Sequence, residues 1–598
     1  MSVLRGTLLH LLGGLIVVKR FSIKAGITLV FLAALLFAPS NHAQAQAPTP
    51  GDINQLLQQQ RQILQKQEER RREELERLRK AAPPKKDGAQ KDEALAGKAK
   101  HCVPVRKIIF NGAELLDKPT KKALQKPFVG KCMNIIDIMS VVRVVTNWYV
   151  AQGYVTARAY PPEQDLSKGV LIIKVIEGRT EKVDIYANGK PRKGVDTAFP
   201  NLVGKRLYIR DVEQGLDQIN RLPTHDAKIR IEPGKTEGYS RLRVNTTHLT
   251  LPYMMGTIDN YGLKSTGELQ TGASAYFGDV LGLYDSWAIS YKTSDPFYKG
   301  QKASQEITAS LSLPYGYWTL LVSGSYFDYR SELKGQTNTF KTDGVSRYLT
   351  AEIDRVLHRD RDSKTRLSGF INFKDTENYV EDIRLQTGSR KLNVAGVRLS
   401  HSHRLLGGLL DASVSGHWGV PMFGSLTDEK SLPGSPIAEF KKVSGDLSFY
   451  RPLKVGPLNL AWRLKAAGQW SSNDLYSTEQ ISLGGLYTVR GYKDQSLSGD
   501  TGAYVRNELV WSLPYLLPKK TQPFFGRMDL FAAYDAGWLK PDKDGTFEEG
   551  SVTGLAAGAR LSSGILFGEA AYEKPLHAPD FIKKDELFRF QAGMSVKW

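Results

Sequence analysis

The stretch FRFQAGMSVKW, residues 588–598, alternates without a break. Phe588, Phe590, Ala592, Met594, Val596 and Trp598 fall on one side of an extended chain. Arg589, Gln591, Gly593, Ser595 and Lys597 fall on the other. A side chain returning to the same face every second residue is the period of a β-strand. The same phase recurs upstream. Trp287, Ile289 and Tyr291 alternate with Ser286, Ala288, Ser290 and Lys292, and Leu555, Ala557, Ala559 and Leu561 with Ala556, Gly558 and Arg560. From about residue 250 onward helix signals vanish, and alternating segments of roughly ten residues follow one another between Gly, Asn, Asp and Pro turns. Apolar-out, polar-in alternation at that length is the pattern of a transmembrane β-barrel. A soluble β-sandwich also alternates, but 26 Tyr and 9 Trp suit the aromatic girdles of a membrane barrel better. About 350 residues at roughly 20–22 per strand and connection predict an antiparallel barrel of about 16 strands. Closure leaves no unpaired edge in lipid.

At 598 residues the chain is too long for one ordinary domain, and 41% hydrophobic content is too low for a helical membrane protein. The formal charge of +20 suits nucleic acid, anionic headgroups and acidic polypeptides alike, so it names no partner. The N-terminus is more informative. Arg5, Lys19, Arg20 and Lys24 precede the apolar run 25–38, and NHAQAQA places small residues at Ala43, Ala45 and Ala47. These are the three parts of a secretory signal peptide, expected over 1–45. A membrane anchor is the alternative, though the run is short against the ~20 residues a span needs. The unusual length of the basic region also fits a start codon set too early. An exported chain puts Cys102 and Cys132 in an oxidising compartment. A disulfide closing their loop of about thirty residues contributes roughly 3–4 kcal/mol in the chain-entropy model; two buried thiols are the alternative.

Between the signal and the strands lie four further segments. Residues 46–80 contain a polar helix with a thin stripe of Ile53, Leu56, Leu57, Ile63, Leu64, Leu75 and Leu78. It reads as a solvated or coiled-coil helix, and its narrow stripe also suits a helix inside a watery pore. A charged linker occupies 81–101. Residues 102–178 read as a small α/β unit, with strands in VRKIIFNG and GVLIIKVIEG around a helix in IIDIMSVVRVVTNWYVAQG. Residues 179–248 repeat that plan with little residue identity, and the barrel takes 249–598.

Motifs for catalysis are missing. There is no G-x-S-x-G, H-E-x-x-H or Walker loop. His401 and His403 lack a third ligand and read as barrel residues, so no enzyme activity, metal or cofactor is expected. The strands do carry inward charge. In MDLFAAYDAG, Leu530, Ala532 and Tyr534 share the lipid phase, so Asp535 faces the lumen, because an Asp in lipid is costly. Arg506 and Glu508 fall on the polar face of AYVRNELVW, opposite Val505, Leu509 and Trp511.

On these residues the chain resembles the TpsB transporters of two-partner, type V secretion, the haemolysin and filamentous-haemagglutinin exporters. The resemblance extends over the expected mature chain. Residues 102–178 and 179–248 are similar to that family's two POTRA domains, periplasmic modules for polypeptide transport. Val489-Arg490-Gly491-Tyr492 matches the VRGY/F motif, in a pore loop (476–503) after the eleventh barrel strand. FAAYDAGW, 531–538, resembles the F-x-D-x-G strand motif with Asp535 as its acid, and Ala533 stands at the Phe position. The resemblance implies an outer-membrane protein, acting as a monomeric barrel in outer-membrane lipid with its POTRA domains in the periplasm. It implies a secreted TpsA-type exoprotein bound extended and passed outward, and no nucleic acid. The pore would be closed by the plug helix and the VRGY loop, with Arg490 paired to Asp535. Arg158 and Tyr160 lie where a client strand would add to a POTRA sheet edge. The cargo is a haemolysin, an adhesin or a contact-dependent toxin. The alternative, a BamA- or TamA-like insertase, would carry three to five POTRA units against the two counted here.

Overall fold

The computed structural model describes residues 102–192, 196–248, 252–296, 300–334, 338–429, 435–513, 526–541 and 549–596. The expected signal peptide, plug helix and linker lie outside the described residues.

The first soluble unit runs β1 (Val103–Val105), β2 (Lys107–Asn111), α1 (Lys118–Gln125), β3 (Lys131–Met133), α2 (Ile135–Ala151), β4 (Arg158–Tyr160) and β5 (Val170–Ile176). Asn134 caps α2 through a capping box with Asp137. Val141, Val145 and Tyr149, spaced by four, bury one stripe of α2 in a core with Ile108, Phe110, Leu171 and Ile173. Helix α1 was not legible as a helix in the sequence, because it buries no residue; Asp117 accepts from Thr120 N at its N-terminus and Pro119 sits in its first turn. A disulfide joins Cys102 to Cys132 beside the β1–β3 pair.

The second unit contains β6 (Arg179–Ala187), β7 (Lys190–Pro191), α3 (Ile209–Asn220), β8 (His225–Pro233) and β9 (Tyr239–His248). In both units the first long strand pairs in parallel with the last, and the strand after the main helix adds antiparallel to that last strand: β2-β5-β4 and β6-β9-β8. The two plans are therefore the same fold. The units abut at Glu177, which accepts from Leu115 N at 2.7 Å and Tyr149 Oη at 2.7 Å and pairs with Arg206 Nε at 2.6 Å.

The barrel strands are β10 (Tyr253–Asp259), β11 (Gln270–Gly278), β12 (Ser286–Thr293), β13 (Ala303–Tyr315), β14 (Trp318–Lys334), β15 (Thr339–Arg359) and β16 (Ser363–Val380). A two-residue β17 (Ile383–Arg384) pairs with the tip of β16. Then follow β18 (Arg390–Leu405), β19 (Gly408–Gly419), β20 (Lys441–Val455) and β21 (Leu458–Ser471). After a long connection that holds β22 (Ile481–Leu483) and β23 (Leu497–Gly499) come β24 (Gly502–Ser512), β25 (Arg527–Leu539), β26 (Gly550–Ser562), β27 (Leu566–His577) and β28 (Leu587–Val596). Leaving out β17, β22 and β23, sixteen antiparallel strands close by pairing β10 with β28 from Met254↔Val596 to Asp259↔Gln591. The inward and outward phases match the alternation of the sequence: Phe588, Met594, Ile289 and Tyr291 are exposed outward, while Arg589 and Ser595 are buried. His401 and His403 stand in β18 on the outward phase, ring centroids 5.7 Å apart.

The second unit is keyed onto the barrel's turns by polar contacts. Gln214 and Gln218 of α3 donate to Gly316 O at 3.1 and 2.9 Å, and Arg359 Nη1 reaches Asp217 at 2.7 Å. Tyr317 Oη donates to Asp211 at 2.6 Å. Tyr284, from the turn between β11 and β12, is fully buried in the second unit's core, with Arg192 stacked 3.7 Å from its ring centre. Arg221 donates to Tyr284 O and Ser312; burial pulls its guanidinium down to about 10, which leaves it charged at neutral pH.

Candidate functional site: the loop folded into the pore

Residues 472–501 join β21 to β24, the eleventh and twelfth barrel strands, and turn back into the lumen. The connection is folded. β22 and β23 form a short hairpin from Ile481↔Gly499 to Leu483↔Leu497. Ile481, Leu483, Val489, Tyr492 and Leu497 pack with Leu539 and Val552 of the barrel wall. GGLYTVRGYKDQSLSGD reads in sequence as a glycine-rich loop; its Val489, Tyr492 and Leu497 are spread too thinly to show a core until the hairpin gathers them with Ile481 and Leu483.

Strand phase and loop then meet at Arg490. Asp535 faces inward from β25, where it stands opposite Arg506 of β24 and Gly554 of β26. Arg490 Nε and Nη2 donate to the two oxygens of Asp535 at 2.7 and 2.8 Å, and the Arg490 amide donates to Oδ2 at 3.1 Å. A planar guanidinium makes this two-pronged contact and a lysine cannot. Arg490 Nη1 donates to Glu508 Oε2 at 2.9 Å. Glu508 also accepts from Arg560 Nη2 at 2.8 Å and Arg463 Nη1 at 3.3 Å. Arg506 Nε lies 3.7 Å from Asp535. The structure thus brings Arg490, Asp535, Arg506 and Glu508 into one buried network, where each charge has an opposite neighbour.

Close backbone approach needs glycine. Gly491 has φ +101°, and a Cβ there would meet Pro575 N at 2.8 Å. A Cβ on Gly554 would lie 2.0 Å from Arg490 O. A Cβ on Gly537, the glycine of F-x-D-x-G, would press on Leu483 and Val489 at 3.0 Å. Beyond the motif, Gly491 N donates to Glu573 at 2.9 Å, and Arg589 bridges Glu573 at 2.8 Å to Tyr492 O at 2.7 Å. Tyr492 Oη donates to His577 O at 2.6 Å and Thr553 O at 3.0 Å. Sequence reasoning missed Glu573, Arg589, Arg560 and Gly554; their inward phase was the available signal.

Arg158 and Tyr160 lie elsewhere, in edge strand β4 of the first unit. Arg158 Nη1 donates to Val155 O and Ala157 O, and Lys174 Nζ sits 5.6 Å from the Tyr160 ring centre. Among the described residues no group of His, Cys, Asp and Glu has the arrangement of a metal site.

Comparison with known proteins converges on one group. A family model described as "Haemolysin secretion/activation protein ShlB/FhaC/HecB" matches residues 238–561. A ShlB-type POTRA domain matches 103–178 and a further POTRA domain 179–233. The chain is 37% identical over 497 residues to the outer membrane transporter CdiB of Escherichia coli, covering 83% of this chain and 82% of that protein. It is 30% identical over 465 residues to the hemolysin transporter protein ShlB of Serratia marcescens, covering 77% and 80%. The solved structure of CdiB from Escherichia coli superposes with a TM-score of 0.79 at 35% identity, over 92% of this chain and all of that one. CdiB from Acinetobacter baumannii, at 22% identity and a TM-score of 0.70, shares the fold.

Proposed function

The chain belongs to the haemolysin secretion/activation family ShlB/FhaC/HecB, and from that premise we propose how it works as an outer-membrane transporter. Its barrel spans the outer membrane and its POTRA domains stand in the periplasm. It exports a secreted partner protein, by two-partner secretion, rather than inserting barrels as BamA does. In our reading the partner is a large TpsA-type exoprotein, a haemolysin, adhesin or contact-dependent toxin. It arrives extended, adds to a POTRA sheet edge such as β4 near Arg158 and Tyr160, and is threaded through one monomeric barrel.

The observation that carries this reading is the loop of residues 472–501, folded into the lumen and clamped there through Arg490. A pore of sixteen strands is wide, and left open it would leak. A clamp of paired charges and hydrogen bonds closes it and is reversible, since each bond can be exchanged for water as the loop moves. Deleting the gene and comparing the secreted and surface proteins tests the reading. Loss of one large exoprotein, restored by the intact gene, is expected. Unchanged secretion with a general loss of outer-membrane barrels would overturn it in favour of an insertase.

A further inference from the structure

The Arg490 network holds one end of the pore loop to β24–β28. A second cluster holds the other arm. Glu479, in the turn before β22, is 2% exposed. Its Oε2 accepts from Lys442 Nζ of β20 at 2.9 Å, and Lys374 Nζ of β16 stands 2.7 Å from its Oε1 as a close ion pair rather than an aligned hydrogen bond. The Glu479 carbonyl accepts from the same Lys442 at 2.7 Å and from Gln469 Nε2 of β21 at 2.9 Å. Both lysines are at most 5% exposed. Neither motif of the family includes these residues, and strand phase alone could not have paired side chains from barrel strands seven and ten with a loop carboxylate.

We infer that Glu479 is a positioning residue for transport: a second latch that ties the first arm of the pore loop to β16, β20 and β21. This rests on the reading of the loop as the closure of the pore. Two ammonium groups converge on one carboxylate out of water. Such ions are strongly bound while the set is complete, and removing the carboxylate leaves two buried like charges facing each other. The loop is therefore strung across the lumen between two anchors on different parts of the wall. Releasing either anchor leaves the loop tethered by the other, and passage of a chain requires both to yield.

The test uses the full-length protein in planar bilayers, with KCl conductance as readout, alongside export of the exoprotein from cells. Glu479→Gln, Arg490→Ala and the double variant are compared. Each single variant is expected to raise the open fraction modestly. The double variant is expected to raise it about ten- to hundredfold over either, the range set by losing charged hydrogen bonds. An open fraction in the double variant equal to that of Arg490→Ala alone overturns the latch. Should Glu479→Gln fail to insert, the reversed pair Glu479→Lys with Lys442→Glu decides: restored closure supports the latch, and a pore as open as that of Glu479→Lys alone refutes it. Undiminished export in Arg490→Ala would instead sink the pore-loop reading itself.

Discussion

Arg490 is a cation withdrawn from water, 3% exposed, and its guanidinium donates to two carboxylates on adjacent strands. Removing one member of such a buried set costs about 3–5 kcal/mol, because the partner charge stays behind unpaired. Arg490→Ala is expected to release Asp535 and Glu508 and to lower export at least tenfold, with the barrel still inserted. Arg490→Lys should rescue only in part, because an ammonium reaches one oxygen where the guanidinium spans two. Export, and the gel mobility of the folded barrel with and without heating, report the two effects separately. Gly554→Ala offers a subtler probe. Its Cβ would stand 2.0 Å from the Arg490 carbonyl, so the loop must lift while every charge remains in place. Loosened closure without loss of any ionic group is the expected result, read as raised single-channel conductance. These residues differ in how they show in the sequence. Asp535, Arg506 and Glu508 declare themselves by phase, since a charge on an alternating strand has only one tolerable side. Arg490 was legible by its motif. Phase gives Glu573 and Gly554 an inward side but no partner, and Glu479 not even that, because partners are fixed by strand register and by the loop's path, which no local pattern encodes.

The pore loop and α3 are elements whose shape depends on what they touch. The loop has no strand longer than three residues and takes its core from the wall. Helix α3 has no side-chain cap; Tyr208 at its N-terminus packs on Tyr154 of the first unit instead, ring centres 5.3 Å apart. Its polar residues at 211, 214, 217 and 218 would pass for a solvated face in sequence. In the structure they read the turns of the barrel, which is why periodicity gave the helix and not its role. The joint also carries a pH dependence. Burial pushes the Asp279 carboxyl up, but the His225 hydrogen bond, the Tyr284 amide and Arg192 outweigh it and hold the carboxyl below its ordinary range. A depressed carboxylate contributes stability that is present above its unfolded pKa and is lost as pH falls through the folded one. The joint is thus expected to hold at neutral pH and to loosen in acid below the ordinary carboxylate range, as protonation of Asp279 removes its salt bridge to Arg192. Limited proteolysis between the second unit and β10 across that range would show it; equal cleavage at pH 7 and pH 3 contradicts it.

Across the whole molecule, strand number and closure were legible because every strand must solve the same problem, lipid on one side and water on the other. The soluble units were legible as two strand-helix-strand repeats, though their sheet order came only from the parallel pairing of first and last strands. Their stability has a covalent part. Reducing Cys102–Cys132 in the folded full-length protein should cost the first unit about 3–4 kcal/mol and leave the barrel untouched, since the crosslink constrains only a loop of about thirty residues. Urea unfolding followed by protease digestion, with and without reductant, measures this; a barrel transition that shifts as far as the soluble one would refute it.

The docking of α3 and Tyr284 has a mechanical meaning. The second unit grips the turns that lead into β12, β14 and β16, while Arg490 is fastened to β24–β28. The two handles sit on opposite halves of one hoop. A load on the soluble units therefore reaches the Arg490 anchor only by flexing the cylinder between them, and the stiffness of hydrogen-bonded strands sets how much of a periplasmic tug arrives there.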